Sequence, residues 1–146
     1  IRTGIRAGPA TYGAIYEVQP FGNVLYRVTV RGSDLREYLE RVVGRRRPAV
    51  QVSGAIVTYD TSGAPGSRLR SVRMIDGPPL TDDRTYTVVL NDFMYTGGGN
   101  LGFGDKVLRA DPLDLNDLDA FVSYLRAQPK PVPTPKERRF VIATGP

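Results

Sequence analysis

The cleanest pattern in the chain is a two-residue alternation over Asn23 to Arg31. Val24, Tyr26, Val28 and Val30 fall on one side and Leu25, Arg27, Thr29 and Arg31 on the other, which predicts a strand with one well-buried face. Gly32 then turns the chain. Ser33 reads as the cap of a helix with Asp34 and Glu37 in its first turn, where the helix dipole favours negative charge. Leu35, Tyr38, Leu39, Val42 and Val43 recur at helical spacing as its buried stripe, and Gly44 is the expected stop. Upstream, Thr11 can cap a short helix over Tyr12 to Val18, with Ile15, Tyr16 and Val18 as its apolar bulk. Pro20 ends it, because a proline pushes the preceding residue out of the helical region.

Further along, Ala49 to Tyr59 is apolar and β-rich, broken at Ser53-Gly54, and Leu69 to Ile75 returns as a strand. The Gly/Pro/Ser-rich stretch Asp60 to Ser67 between them predicts a hairpin with a long loop. Asp76-Gly77-Pro78-Pro79 is a second turn, and Tyr86 to Leu90 reads as another strand. Asp114 or Asn116 caps a helix running to about Ala127, with Leu118, Phe121, Val122 and Leu125 on its apolar face. Gln128 to Pro135 is proline-rich and extended, and Phe140 to Ala143 is a last strand pairing at an edge. The expected fold class is α+β, one domain over residues 1–146, with mixed β-sheet structure of about five strands and about three helices.

With 146 residues, 40% hydrophobic and 24% charged, the composition is globular. No apolar run approaches the roughly 20 residues of a membrane span. The chain opens at Ile1 rather than methionine and reads as a piece of a longer polypeptide. It contains no cysteine, which removes disulfides and thiolate metal sites, and no histidine. The commonest general base and the commonest metal ligand are thereby both missing, which counts against a self-contained hydrolase. The net charge is +5, and Lys106, Lys130 and Lys136 are the only lysines, so arginine dominates. Such a surface suits phosphate-bearing ligands, though a bias towards arginine in composition explains it equally well. Arg45-Arg46-Arg47 is likewise either a solvated loop or an anion-facing lip.

Two stretches stand apart. In Gln19-Pro20-Phe21-Gly22-Asn23 an aromatic ring follows a rigid proline and precedes a glycine and an amide. Phe21 is either a core residue or a ring offered to something flat. In Asn91-Asp92-Phe93-Met94-Tyr95-Thr96-Gly97-Gly98-Gly99-Asn100 the consecutive glycines form either a flexible loop or a place where the backbone approaches something closely. No phosphate-cradling loop is recognisable, because no Lys-Ser/Thr follows the glycines.

Taken together, these motifs resemble the C-terminal domain of the 5′-nucleotidase family, which also includes UDP-sugar hydrolases and 2′,3′-cyclic nucleotide phosphodiesterases. The likeness is carried by Ile1-Arg2, Gly8-Pro9-Ala10-Thr11-Tyr12-Gly13, Val18 to Asn23, Ser53-Gly54 with Tyr59-Asp60, and Asn91-Asp92-Phe93 followed by Gly97-Gly98, in that order. It covers essentially the whole chain. Each motif alone is weak, whereas the ordered set is specific.

The resemblance implies a substrate-binding domain whose catalytic partner is a separate N-terminal metallophosphatase domain of the same polypeptide, expected upstream and holding two divalent metal ions. No catalytic residue, metal ligand or cofactor is expected in this chain. By resemblance Phe21 and Phe93 stack on the base, Asn23 meets its edge, Arg2 faces the phosphate, and Gly97 and Gly98 belong to the substrate-binding loop. The expected ligand is a nucleotide or nucleoside-diphosphate sugar; nucleic acid is not an expected partner. A periplasmic or extracellular location is implied. One departure stands out: Gly99 occupies the position where the family carries an aspartate that holds the ribose. An alternative is therefore a non-catalytic binding or interaction module on the same scaffold that has lost ordinary nucleotide recognition.

Overall fold

In the computed structural model, described for residues 1–45, 47, 48 and 50–143, the alternating stretch forms strand β1 (Val24–Arg31). It lies at the centre of a three-stranded antiparallel sheet, between β4 (Thr85–Asn91) and β5 (Val107–Asn116). A second sheet places β2 (Ala55–Tyr59) between β3 (Leu69–Met74), antiparallel to it, and β6 (Phe140–Ile142), parallel to it. Among the described residues four α-helices accompany the sheets: α1 (Tyr12–Val18), α2 (Gly32–Val43), the single-turn α3 (Asp92–Tyr95) and α4 (Asp117–Ala127). The expected α+β class holds, with six strands divided between two sheets.

β5 is the element that the hydrophobic pattern does not announce. Its sequence carries Asp111, Pro112 and Asp114, and proline cannot donate to a ladder. An edge position tolerates this, and two register shifts against β1 absorb the irregularity.

The start of α2 also differs from expectation. The helix begins at Gly32 with no side-chain cap, so Ser33 does not cap it. Backbone carbonyls from a distant loop satisfy the first donors instead: Gly32 N–H bonds Arg84 O at 2.8 Å and Ser33 N–H bonds Asp82 O at 3.2 Å. Arg36 ties the same loop down through Asp82 at 2.7 Å. An orphan helix donor needs a partner of some kind, and here tertiary structure supplies it. Thr11 caps α1, as expected, and of the two candidates Asp114 and Asn116 it is Asn116 that caps α4, Asp114 lying within β5.

α2 lies against both sheets and joins them in one core. Val28 and Val30 of β1, Tyr38, Leu39, Val42 and Val43 of α2, Val57 of β2, Val72 of β3 and Leu90 of β4 are all buried together. Glu40 pins the second sheet to this helix by accepting from Arg68 N at 2.9 Å and Leu69 N at 2.7 Å. A smaller cluster of Ile15, Leu118 and Val122 packs α1 on α4.

The loop after β2 is organised by Asp60. Arg70 donates to its Oδ2 at 2.6 Å, while the Ser62 hydroxyl and N–H donate to Oδ1 at 2.6 and 2.8 Å. The Arg70 bond first, then those from Ser62, hold this carboxyl well below the usual aspartate range. A pKa lower in the folded than in the unfolded chain adds stability that is fully present above about pH 4 and fades as the pH falls towards the depressed value. Asp60→Asn should therefore cost stability at neutral pH, with the gap to wild type closing below about pH 4 when urea midpoints are followed against pH. A gap that stays constant down to about pH 2 would refute this account.

Candidate functional site

Three strand ends meet at one end of the first sheet. The β1/β4 register pairs Leu25 with Asn91, and the β1/β5 register pairs Val24 with Asn116. The chain entering β1, the chain leaving β4 and the chain leaving β5 are thus brought to the same end. They carry, respectively, Gln19 to Asn23, α3 with the glycine run, and the first turn of α4. Phe21 and Asn23, and Phe93 far from both in sequence, share this end.

Neither ring is a core residue. Phe21 is 44% exposed and Phe93 is 55% exposed, far more than a packed phenylalanine leaves open. Gly22 holds a left-handed φ of +60° just after Phe21, and nothing lies within 4 Å of where its Cβ would be. Conformation rather than crowding therefore calls for glycine there. Arg2 arrives from the N-terminus, where its N–H bonds Val18 O at 2.9 Å. Its guanidinium carbon sits 5.1 Å from the Phe21 ring centroid, a cation–π contact. Arg2 and Phe21 are therefore direct neighbours.

Phe93 stands on α3, whose N-terminus is capped by Asn91 accepting from Met94 N at 3.0 Å. Tyr95 anchors this turn to β1 by stacking on Tyr26 with centroids 4.6 Å apart. The glycine run packs closely behind the ring. A Cβ on Gly98 would come within 2.5 Å of both Phe93 Cε2 and Phe93 O. Gly97 has a φ of +93°, and a Cβ on Gly102 would meet its Cα at 2.8 Å. Two arginines of α2 and its end hold the loop by its carbonyls: Arg41 to Gly102 O and Arg45 to Gly99 O, each at 2.7 Å. The run is thus a built platform for Phe93: close approach accounts for Gly98, and left-handed backbone for Gly97 and Gly99. Within the arginine triplet, Arg45 turns inward to this loop, while Arg46 lies outside the described residues.

Asn23 is half-buried and held at two points by one residue. Its backbone O accepts from Asp117 N at 2.8 Å, and its Nδ2 donates to Asp117 Oδ2 at 2.9 Å. Gln19 Nε2 donates to the same oxygen at 2.8 Å. Asp117 was not a candidate in the sequence, because an acidic residue after the Asn116 cap is ordinary first-turn chemistry. Nothing local distinguishes it. At the position of Gly99 the φ is +65°, and Asn100 follows with +60°.

The site therefore offers two exposed rings, a fixed amide and a guanidinium. That set can take a flat heteroaromatic group with a polar edge and a nearby anion.

The sequence pattern described as "5'-nucleotidase, C-terminal domain" matches residues 1–105, a span holding Arg2, Phe21, Asn23, Phe93, Gly97 and Gly98. Among curated relatives, Endonuclease YhcR of Bacillus subtilis is 33% identical over 145 residues, covering 98% of this chain and 12% of that protein. Cell wall protein Lmo0130 of Listeria monocytogenes is 35% identical over 121 residues, 81% of this chain and 15% of that protein. The crystal structure of a 5′-nucleotidase precursor from Thermus thermophilus superposes with a TM-score of 0.85 at 31% identity, covering all of this chain and 30% of that one. This chain spans less than a third of each of these relatives. By the match over residues 1–105 and the shared fold, it belongs to the family of 5′-nucleotidase C-terminal domains.

Proposed function

We propose that this chain is the nucleotide-binding domain of a metal-dependent 5′-nucleotidase-type phosphoester hydrolase. Phe21 and Phe93 stack on the base, Asn23 meets its edge, and Arg2 faces the phosphate. The observation that supports this most is the exposure of both rings, 44% and 55%, at the one sheet end where the Asn23 amide is also held. Core phenylalanines would have no reason to be presented in this way.

The chemistry is assigned to a separate domain of the same polypeptide with two divalent ions, which would activate water and clamp the phosphate. Among the described residues no three His, Cys, Asp or Glu side chains gather as a metal would require. This chain's own part is to bind, orient and present a nucleotide or nucleoside-diphosphate sugar. A location outside the cytoplasm is favoured by the likeness to a cell wall protein. No helix among the described residues is long and apolar enough to cross a membrane.

Calorimetric titration with adenosine, AMP and UDP-glucose tests the reading, which expects saturable binding of at least one. The same preparation should neither release phosphate from AMP nor split UDP-glucose into UMP and glucose 1-phosphate beyond a metal-only blank, whichever divalent ion is added. Turnover would overturn the assignment of chemistry to another domain. Absence of binding to all three ligands would overturn the nucleotide reading. It would favour instead a non-catalytic binding module on the same scaffold. The observation on the side of that alternative is Gly99, which offers no side chain to a ribose and whose carbonyl is already taken by Arg45.

A further inference from the structure

Asp117 is the buried charged side chain among the described residues. It is 8% exposed, at the start of a helix whose next residue, Leu118, joins an apolar cluster. Burying a carboxylate is costly unless donors surround it. Both amide donors, Gln19 Nε2 at 2.8 Å and Asn23 Nδ2 at 2.9 Å, converge on Oδ2. Oδ1 is buried with no partner among the described residues. The carboxylate is thus engaged by two amide donors from the segment that carries Phe21. The match to the family pattern ends at residue 105, so Asp117 lies outside it.

We propose that Asp117 is a positioning residue that fixes the Asn23 amide, so that its Oδ1 is the acceptor presented to the base. The inference rests on the nucleotide reading above and deepens it. An ionised carboxylate only accepts hydrogen bonds, so the group facing it must be the NH2 of Asn23 and never its oxygen. The backbone bond from Asp117 N to Asn23 O stops the residue from pivoting as a whole. A free amide could turn over to suit a donor or an acceptor edge. This one cannot without losing its bond to the carboxylate. The ligand edge that fits a fixed acceptor carries an N–H, such as the exocyclic amine of adenine. A base that offers no donor there leaves the amide oxygen unpaired, the situation that gives sites built for hydrogen bonding their selectivity.

The test is a double-mutant cycle on this chain, read by titration with AMP and with purine riboside 5′-monophosphate, which lacks the 6-amino group. Wild type should prefer AMP by about tenfold, the effect of one hydrogen bond. Asp117→Ala should bring the two affinities together, as Asn23→Ala does, and the double variant should bind no worse than Asn23→Ala alone. Asp117→Asn should keep most of the preference, because an amide oxygen can stand in for Oδ2. Asp117→Ser, polar but too short to hold Asn23, carries the same expectation as alanine should the alanine variant not fold. If the Asp117 variants lower only the melting temperature and leave the preference intact, or if the two single effects simply add, Asp117 is structural and the proposal is overturned. If wild type binds AMP but Asn23→Ala changes neither affinity nor preference, the base-edge role of Asn23 fails and the proposal falls with it. Failure of wild type to bind AMP overturns the proposal, since no adenine edge is then met, and failure to bind adenosine and UDP-glucose as well refutes the nucleotide reading itself.

Discussion

Replacing Gly32 with alanine should destabilise this protein by about 3 kcal/mol, at the upper end of what overpacking costs. The residue sits where β1 passes directly into α2, and a Cβ there would lie 1.8 Å from Thr81 O, 2.8 Å from Thr81 C and 3.0 Å from Tyr86 Cε2. The nearest obstructing atoms are backbone, so no rotamer change relieves them. Nor can the loop move aside freely, because it supplies the carbonyls of Asp82 and Arg84 that satisfy the first donors of α2. Relief of the clash therefore means loss of the tertiary cap. The φ of Gly32 is not in the left-handed region, so the cost is one of space and not of backbone conformation. Urea denaturation measures it, with Gly4→Ala as the control, since nothing lies within 4 Å of a Cβ at that position. A Gly32→Ala variant within about 0.5 kcal/mol of wild type would contradict the packing described.

The second large effect is on binding. Phe93→Ala should weaken the affinity for whichever nucleotide binds by about 1–3 kcal/mol, the range for removing one ring from a base stack. That is roughly 5- to 150-fold in Kd. Fold stability should change little, because the ring is 55% exposed and outside the buried core. This separation is the useful part of the prediction. A core phenylalanine would lose several kcal/mol of stability on truncation, whereas a stacking platform loses affinity and keeps its melting temperature. Tyr124→Ala serves as the control, since that ring is equally exposed at 55% but lies on α4. Unchanged affinity in Phe93→Ala, with the control also unchanged, would remove Phe93 from the site.

Much of the architecture was legible because local rules and tertiary demands agreed. β1 alternates with a period of two, and the buried residues of α2 fall where its helical stripe put them. Thr11 and Asn116 cap the helices they precede, since a cap is a bond to the adjacent turn and needs no distant partner. Ser33 shows the limit of that logic. Its side chain had the right chemistry, but the helix starts one residue earlier, at Gly32, where the carbonyls of Arg84 and Asp82 accept from the N–H groups of Gly32 and Ser33. β5 shows another limit, because an edge strand with bulges and a proline takes its order from pairing with β1 rather than from a pattern of its own.

The candidate site divides in the same way. Ring type, glycine spacing and the amide at Asn23 are local properties, and they were enough to single out Phe21, Asn23 and Phe93 together with the family they resemble. Exposure is not a local property. Phe21 could have been core until the packing left it open. Gly98 could have marked a flexible loop until its missing Cβ proved to be space occupied by Phe93.

By itself, then, the sequence determined the class of fold, most of the elements, the caps that depend on neighbours and the residue types available for a flat ligand with an anionic tail. Only the tertiary structure decided that Phe21, Asn23, Phe93 and Asp117 share one end of a sheet, through the registers Leu25 with Asn91 and Val24 with Asn116. It alone assigned Asp117 to Asn23, a contact across 94 positions. The physical reason is range. Periodicity and capping act over one or two turns of chain, whereas a carboxylate's partner is set by strand pairing that joins segments with no signal between them.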